Sequence, residues 1–376
     1  MDIYLDNAAT TKLDPEVLDD MIPYMTNIFG NPSSIHRYGC RVKSAIEKAR
    51  KKIAMLCNVS PSEILFTSGG TEGNNMLLRG IVEAMHIQAV LTSPLEHLSV
   101  RAPLEKLAQQ GKITLTYARV NQSGDLFLDE IEQWLQSHSH GHALLSFMQV
   151  NHEIGNITDI VAIGQLCQKY NAFFHSDTIQ SIYYLTHDFR SLQLAVGSAH
   201  KIHGPIGIGF VYIDPKVSIT PLICGGSQEL NMRGGTENVA HIVGMAKALE
   251  IAFRDRIKIA NHLFSIKKYM IELLKMHVPN VKFNGHSESL TKSSSTLLNI
   301  SLPAWQDSDM LIYNLAIHGI AASTGSACTS GSDTGSLVIA ALQKETPHAI
   351  RFSFSKYTTR AEITKTVECL RQLCTS

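Results

Sequence analysis

The chain has 376 residues, of which 44% are hydrophobic, enough for a large core and for more than one domain. Lysine plus arginine and aspartate plus glutamate both total 33, so the formal net charge is zero. This balance argues against nucleic acid or an anionic membrane as the main partner, since both need a basic protein surface.

The sequence shows no pattern typical of membrane insertion or secretion. No run approaches the roughly 20 apolar residues of a membrane-spanning helix, and the acidic first residues do not resemble a secretory signal. The seven cysteines are scattered and include no Cys-x-x-Cys pair. That pattern suits a reducing compartment better than a disulfide framework, so we expect a soluble cytoplasmic protein.

Strand patterns and helix patterns alternate along the first two thirds of the chain. Apolar residues keep helical spacing over 42–56, and an amphipathic helix pattern covers 157–170. Short buried-strand patterns lie at 63–67, 89–92, 113–120, 143–150, 172–175, 194–197 and 206–213. Strands that alternate with helices predict a mostly parallel sheet that is covered by helices on both faces.

The last third has a different order of elements. A long helix pattern begins near Thr236, runs to Arg256 and would bridge two domains. The patterns that follow are a helix, strands at 281–284 and 296–302, a helix at 309–318, a loop, a helix, a strand at 349–355 and a final helix. We therefore predict an α/β protein with a second, smaller α+β domain.

Three motifs in the first 201 residues can each be read in two ways. The turn Ser-Gly-Gly-Thr-Glu-Gly at 68–73 joins a strand to a helix, and it is either structural or a phosphate cradle. Asp177 ends an apolar strand and is either a helix N-cap, the commoner role, or the partner of a buried cation. Lys201 enters a glycine-rich loop as either an exposed lysine or the group that forms a Schiff base with an aldehyde cofactor.

The order of these motifs favours the chemical interpretations. A pyridoxal phosphate enzyme needs a phosphate anchor, an aspartate against the pyridine nitrogen and a lysine on the aldehyde. By contrast, His152 begins a zinc-protease-like motif that lacks its second histidine, so we expect no metal.

Cys328 stands alone in the stretch 323–335, which consists almost entirely of small and polar residues. This composition predicts a mobile, solvated loop. A lone cysteine on a loop is more often incidental, but a thiolate is also a strong nucleophile. The lysine and aspartate upstream favour a chemical role for Cys328.

Eight motifs in fixed order give the chain a family resemblance. They are Tyr4-Leu-Asp-Asn-Ala-Ala-Thr-Thr11, Gly30-Asn-Pro-Ser-Ser34, Phe66-Thr-Ser-Gly-Gly-Thr-Glu72, Val150-Asn-His-Glu-Ile-Gly155, Ser198-Ala-His-Lys201, Arg233-Gly-Gly-Thr-Glu-Asn238, Gly325-Ser-Ala-Cys-Thr-Ser330 and Arg351-Phe-Ser353. With them, nearly the whole chain closely resembles the cysteine desulfurases of the NifS/IscS type, within the class V aminotransferase family. The resemblance implies an aspartate-aminotransferase-like fold. A large domain at 15–255 would bind pyridoxal 5'-phosphate and dimerise, and residues 1–14 and 256–376 would form the small domain with the catalytic cysteine.

The resemblance also implies a role for each site residue. Lys201 would hold the cofactor and move protons, Asp177 would pair with the pyridine nitrogen, and His97 would stack on the ring and take part in catalysis. Arg351 would clamp the substrate carboxylate, and Cys328 would receive the substrate sulfur. The other implied contacts are Gly70, Thr71, Asn151, Gln180, Ser198 and His200 to the cofactor, Asn151 also to the substrate, and Thr236 to the phosphate of the partner subunit in a homodimer.

The implied reaction converts L-cysteine to L-alanine and leaves a persulfide on Cys328. The sulfur would pass to an acceptor protein, either an iron–sulfur scaffold or a sulfur carrier, for cluster, thio-cofactor or tRNA biosynthesis. A selenocysteine lyase or related β-lyase is an alternative, and so is a sulfur-relay protein that is active only when bound to its acceptor. One departure is Leu230-Asn231, where this family commonly has arginine and glycine.

Overall fold

A computed structural model describes residues 2–138, 141–183, 189–302, 308–325, 336–342 and 349–375 of the chain. The strands are β1 (Ile3–Tyr4), β2 (Ile64–Thr67), β3 (Ala89–Thr92), β4 (Thr114–Tyr117), β5 (Ala143–Ser146), β6 (Phe173–Asp177), β7 (Leu194–Ser198), β8 (Gly209–Ile213), β9 (Lys282–Phe283), β10 (Leu297–Ser301), β11 (Ile320–Ala321) and β12 (Ile350–Ser353). The helices are α1 (Pro15–Thr26), α2 (Arg37–Leu56), α3 (Gly70–Ala84), α4 (Leu98–Gln109), α5 (Leu128–Ser137), α6 (Ile160–Lys169), α7 (Val239–Arg254), α8 (Arg256–His277), α9 (Ser308–Ile317), α10 (Leu337–Ala341) and α11 (Arg360–Thr375).

A sheet of seven strands forms the centre of the molecule, in the order β2-β8-β7-β6-β5-β3-β4. Strands β3 to β7 run parallel to their neighbours in this set, and β8 runs antiparallel to both β2 and β7. The sheet is therefore mostly parallel, and the predicted fold class is confirmed. Because β6 and β7 are parallel, their last residues, Asp177 and Ser198, lie at the same edge of the sheet.

Two smaller sheets lie outside the central one. Strand β10 pairs antiparallel with β9 and β12, and β1 pairs parallel with β11. One continuous apolar cluster includes buried residues of the central sheet, of α7 and α8, and of β10 and β12. The division of the chain into domains at 15–255 and at 1–14 plus 256–376 stays a prediction.

The helix predicted from Thr236 to Arg256 corresponds to α7, and the helix predicted after it corresponds to α8. Helix α7 ends at Arg254, and the amide of Asp255 donates to the carbonyl oxygens of Ile251 and Phe253 as α8 begins at the next residue. Helix α7 packs against α1 and α2. In the described part of the chain, no helix combines the length and apolar character that crossing a membrane requires.

Candidate active site

A cavity of about 240 Å³ lies at the edge of the central sheet where β6 and β7 end. Its wall is made by these strand ends, the start of α3, the N-terminal segment before α1 and one residue of β12. Nine of the predicted site residues line it: Gly70, Thr71, His97, Asp177, Gln180, Ser198, His200, Lys201 and Arg351.

The first turn of α3 forms one wall, with Gly70 and Thr71 facing the cavity. The first amides of a helix have no acceptor within the helix, so this end can bind an anion. A Cβ atom at Gly70 would lie 2.1 Å from Cδ1 of Ile179, so only glycine allows the helix start to pack this closely against the loop after β6.

Ser198 and His200 also line the cavity, and Ser198 lies next to Gly70. The Ser198 hydroxyl is buried and has no hydrogen-bond partner among the described residues. Burial, and then the charge of Lys201, lowers the pKa of His200 to about 4. A helix start, a free hydroxyl and a neutral imidazole fit the phosphate group of a cofactor.

Lys201 lies just beyond β7, in a single 3-10 turn. Its Nζ donates to the carbonyl oxygens of Ala8 at 2.5 Å and Ala9 at 2.8 Å. The Gln180 amide donates to the same Ala8 oxygen at 3.1 Å. The N-terminal segment thus holds the lysine side chain at the cavity, where an aldehyde carbon can reach it.

Asp177 is a buried anion whose hydrogen-bond donors are both neutral. Its Oδ1 accepts from the amide of Ile179 at 3.0 Å, and its Oδ2 accepts from Nδ2 of Asn74 at 2.9 Å. Within the described ranges, no lysine, arginine or histidine forms an ion pair with it. A buried carboxylate is costly without a positive partner, and a protonated pyridine nitrogen would supply one.

His97 precedes α4 and caps it, since its Nδ1 accepts from the amide of Ser99 at 3.1 Å. The Ser99 hydroxyl lies 2.8 Å from the same nitrogen and is in turn 2.8 Å from Nδ2 of Asn74. Burial, followed by the charge of the neighbouring His152, lowers the pKa of His97 to about 4. The imidazole is therefore neutral at ordinary pH.

Arg351 lies on β12, on the other side of the cavity, and only 2% of it is exposed. Its Nη2 pairs with Oδ1 of Asp6 at 2.8 Å, and its Nη1 donates to the carbonyl oxygen of His152 at 2.9 Å. Its buried Nε–H has no acceptor among the residues that the structure describes. A substrate carboxylate is a suitable acceptor for that donor.

Two predicted residues lie away from the cavity wall. Asn151 is buried and its side-chain amide is committed to neighbouring backbone groups, donating to Leu95 O at 2.9 Å and accepting from the amides of Glu153 and Ile154. Thr236 is exposed. Their predicted contacts to the cofactor, the substrate and the partner subunit stay predictions.

Cys328 lies outside the described residues. The described chain on either side of it ends at Gly325 and resumes at Ser336. A Cβ atom at Gly325 would lie 3.4 Å from Oε2 of Glu153, and the Ser336 hydroxyl donates to that same oxygen. Both ends of the segment that carries Cys328 therefore meet beside His152, which lines the cavity.

The Leu230-Asn231 departure lies in a left-handed turn. Glu229, Leu230 and Asn231 have φ values of 43°, 56° and 65°. Asparagine enters this region readily and leucine does not, so Asn231 replaces a glycine at little cost. A buried bidentate ion pair from Arg50 to Glu229, at 2.8 and 2.9 Å, holds the turn.

The sequence interpretation missed four residues around the cavity: Asp6, Asn74, Ser99 and His175. Asn74 and His175 are fully buried polar residues next to predicted ones. Two signals were available: Asp6 lies within the motif Tyr4–Thr11, and Asn74 follows Gly70 by four residues, on the same face of the predicted helix.

A family model, a curated relative and two solved structures each match nearly the whole chain. The family model described as Aminotransferase class-V matches residues 3–366. A cysteine desulfurase IscS of Dictyoglomus turgidum is 37% identical over 379 residues, which cover 99% of this chain and 94% of that relative. A solved structure described as a NifS-like protein has a TM-score of 0.91 and 32% identity, covering 100% of both chains. Another, described as SspA in complex with cysteine, has a TM-score of 0.79 and 27% identity, covering 95% of this chain and 100% of that one.

Proposed function

The chain belongs to the class V aminotransferase family, and from this premise we propose that it is a pyridoxal 5'-phosphate-dependent cysteine desulfurase. It converts L-cysteine to L-alanine and takes the sulfur onto Cys328 as a persulfide. The observation that carries the proposal is the convergence of Lys201, Asp177 and Arg351 on one cavity. Desulfurase relatives that match nearly the full chain support it.

The cavity residues fit the cofactor group by group. The start of α3 with Thr71, together with Ser198 and His200, would hold the phosphate, and Gln180 would contact the side of the ring that carries its oxygen. Asp177 would face the pyridine nitrogen and His97 the ring. When bound, the cofactor supplies an electron sink that stabilises negative charge at the substrate's α-carbon.

Substrate binding and proton transfer belong to residues of the chain. Arg351 would bind the α-carboxylate through its unpaired Nε–H and orient the amino acid in the cavity. Lys201, once its Nζ is released from the cofactor, would remove the α-proton and return a proton to the product.

Sulfur transfer balances without an external oxidant or reductant. The Cβ–S bond of L-cysteine breaks, an S–S bond forms at Cys328, and the thiol proton of Cys328 compensates for the hydrogen gained at Cβ. L-Alanine leaves and Cys328 keeps the outer sulfur. The position of both ends of its segment beside Glu153 and His152 supports this role for Cys328.

The proposal includes partners. A homodimer would allow Thr236, which is exposed and away from its own cavity, to reach the phosphate of the partner subunit. A cytoplasmic sulfur-acceptor protein, either an iron–sulfur scaffold or a sulfur carrier, would then collect the persulfide.

Alanine formation tests the proposal. The purified holoprotein is mixed with L-cysteine and a thiol reductant, and alanine and sulfide are quantified. Wild type and Cys224→Ala, which removes an exposed free cysteine of the described chain, are expected to form both products. Cys328→Ala and Lys201→Ala are expected to lose about 10³-fold or more in rate.

Two results would contradict the assignment. Undiminished desulfuration by Cys328→Ala would remove the persulfide step, and selenocysteine turnover by the same variant would indicate a lyase. Absence of alanine from wild type with bound chromophore, restored by adding a sulfur acceptor, would indicate a relay protein that needs its partner.

A further inference from the structure

A row of hydrogen-bonded polar side chains lies in the core behind Asp177 and has no role in the proposed reaction. Its members are Ser146 on β5, His175 on β6 and Asn74 on α3, and all three have no exposed surface. Ser146 Oγ lies 2.8 Å from His175 Nδ1, His175 Nε2 lies 3.1 Å from Asn74 Oδ1, and Asn74 Nδ2 lies 2.9 Å from the Asp177 carboxylate.

The direction of these hydrogen bonds follows from the carboxylate at their end. An ionised carboxylate only accepts, so Asn74 must present its NH₂ group to Asp177 and its carbonyl oxygen to His175. His175 must then carry its proton on Nε2. Burial lowers the pKa of His175 to about 3, so its Nδ1 has a free lone pair that accepts from the Ser146 hydroxyl.

The NH₂ group of Asn74 has a second hydrogen, which extends this row of hydrogen bonds through Ser99 to His97. It donates to Ser99 Oγ at 2.8 Å, so the Ser99 hydroxyl proton points to Nδ1 of His97, also at 2.8 Å. His97 Nδ1 is therefore an acceptor, and the proton of this neutral imidazole is on Nε2. One amide thus serves both Asp177 and His97.

We propose that Asn74 is a positioning residue for the cofactor: held in one orientation by His175, it donates to Asp177 and thereby keeps the proton of the cofactor–aspartate pair on the pyridine nitrogen. A hydrogen bond to a carboxylate stabilises its charged form. Without that donor the carboxylate is more basic, and the shared proton moves from the ring to Asp177. The inference rests on the proposed function, because it concerns the same bound cofactor.

His175 has a separate task in this arrangement. An asparagine side chain turned by half a revolution would place its oxygen against Asp177 and Ser99. The Nε2–H of His175 opposes that turn, because it would then face an NH₂ group. The orientation of Asn74 is therefore set by Asp177 and reinforced by His175, which forms its hydrogen bond to the other end of the Asn74 amide.

The test reads the protonation of the ring directly. Apoprotein is loaded with pyridoxal 5'-phosphate labelled with ¹⁵N in the ring, and the chemical shift of that nitrogen is recorded by NMR. The variants are Asn74→Leu, which removes the donor, His175→Phe, which removes only the orienting group, and His175→Gln, whose amide can donate to Asn74 as the imidazole does. Ser146→Ala is the mildest change, because it removes one hydroxyl and adds nothing.

Asn284→Leu is the matched control. Asn284 is equally an interior asparagine, 2% exposed, and its Nδ2 donates to Asn299 and Ser301, both at 2.8 Å. Any general effect of losing a buried amide appears in this variant as well.

Wild type, Asn284→Leu and His175→Gln are expected to show a protonated ring nitrogen. Asn74→Leu and His175→Phe are expected to shift the ratio of protonated to neutral ring about tenfold to a hundredfold towards neutral, as the loss of one hydrogen bond to a charged group predicts. Ser146→Ala is expected to shift the ratio in the same direction by less.

The outcomes separate the inference from the proposed function. An unchanged ¹⁵N shift in Asn74→Leu, or in Ser146→Ala and His175→Phe if Asn74→Leu does not fold, overturns the inference while the function stands. A shift in Asn74→Leu with none in His175→Phe overturns the orienting role of His175. A wild type that binds no labelled cofactor overturns the proposed function itself.

Discussion

The two sides of the cavity are built in different ways. The ring side (Asn74, His97, Asp177, Ser198 and His200) comes mostly from the ends of central strands and the starts of helices, and its hydrogen bonds run between buried and partly buried groups. The carboxylate side (Asp6, His152, Glu153 and Arg351) comes from three distant parts of the chain, which Arg351 joins by pairing with Asp6 and donating to the carbonyl oxygen of His152.

The difference matches what each side would bind. Neutral, directional hydrogen bonds hold one geometry and suit a group that stays bound through every reaction cycle. The pair of Arg351 with Asp6 leaves the Nε–H of the guanidinium without a partner among the described residues, so a substrate carboxylate can enter and leave by sharing the guanidinium. The predictions below test this contrast.

Acid should destabilise the ring side first. The folded pKa values of His97 and His200 are about 4 and that of His175 is about 3, all below the value of roughly 6.5 for an unfolded histidine. The unfolded chain therefore binds more protons as pH falls below about 6.5, and each histidine costs about 1.4 kcal/mol of unfolding free energy per pH unit. Urea unfolding of the apoprotein between pH 7.5 and 5 measures the loss, which is absent above pH 7.

A single variant sharpens that test. His200→Asn is expected to reduce the slope of unfolding free energy against pH by about 1.4 kcal/mol per unit, whereas His277→Asn, which changes an exposed histidine, serves as the control. An identical slope in wild type and His200→Asn would show that the buried imidazole does not titrate as described.

Replacing the guanidinium should affect substrate binding alone. Arg351→Lys keeps the positive charge beside Asp6 but loses the Nε–H that is unpaired in the structure. KM for L-cysteine is expected to rise about tenfold to a hundredfold with little change in kcat, because a charged hydrogen bond is lost. Steady-state alanine formation gives both constants.

Cofactor binding is the control measurement for Arg351→Lys. Its affinity, measured by absorbance titration of the apoprotein, should be the same for wild type and Arg351→Lys. A parallel loss of cofactor affinity would mean that the two sides of the cavity are not independent.

The smallest expected effect concerns one hydroxyl on the ring side. Ser198 Oγ is buried without a partner among the described residues, so Ser198→Ala should leave the unfolding free energy of the apoprotein unchanged or raise it by up to about 1 kcal/mol. The dissociation constant for pyridoxal 5'-phosphate should rise about threefold to tenfold. Urea unfolding and absorbance titration measure the two quantities.

Ser287→Ala is the counterpart with the opposite expectation. Its buried hydroxyl donates to Asn299 O at 2.7 Å, away from the cavity. This variant should lose about 1 kcal/mol of stability and keep its cofactor affinity. Equal behaviour of the two serine variants would remove the phosphate role of Ser198.

The sequence predicts the ring side better than the carboxylate side. Asp177, Ser198 and Lys201 end or follow apolar strands, a position that a local pattern reveals, and the structure places all three at one cavity. The partners of Asn74 depend on how α3 sits against β6, which no local pattern reports. The pairing of Arg351 with Asp6 joins residues 345 positions apart.

Some predicted strands are longer than the strands in the structure. The strand pattern at 113–120 corresponds to Thr114–Tyr117, and the pattern at 143–150 corresponds to Ala143–Ser146. Beyond Ser146, apolar residues continue because the loop that follows β5 is also buried, as Phe147 and Val150 show. Alternation and hydrophobicity report burial, whereas a strand ends where its neighbour's backbone turns away.

The N-terminal segment has a consequence for the order in which the protein is made. Ile3 and Tyr4 pair with Ile320 and Ala321, and the amide of Ala8 donates to Ser353 Oγ at 2.8 Å, across 345 positions of sequence. A ribosome releases this segment long before it releases the partners of the segment. Contacts of such long separation form slowly, after the local structure between them. A nascent chain can therefore complete its central sheet early, but it acquires the arginine proposed to receive substrate only after the chain up to Arg351 has been made.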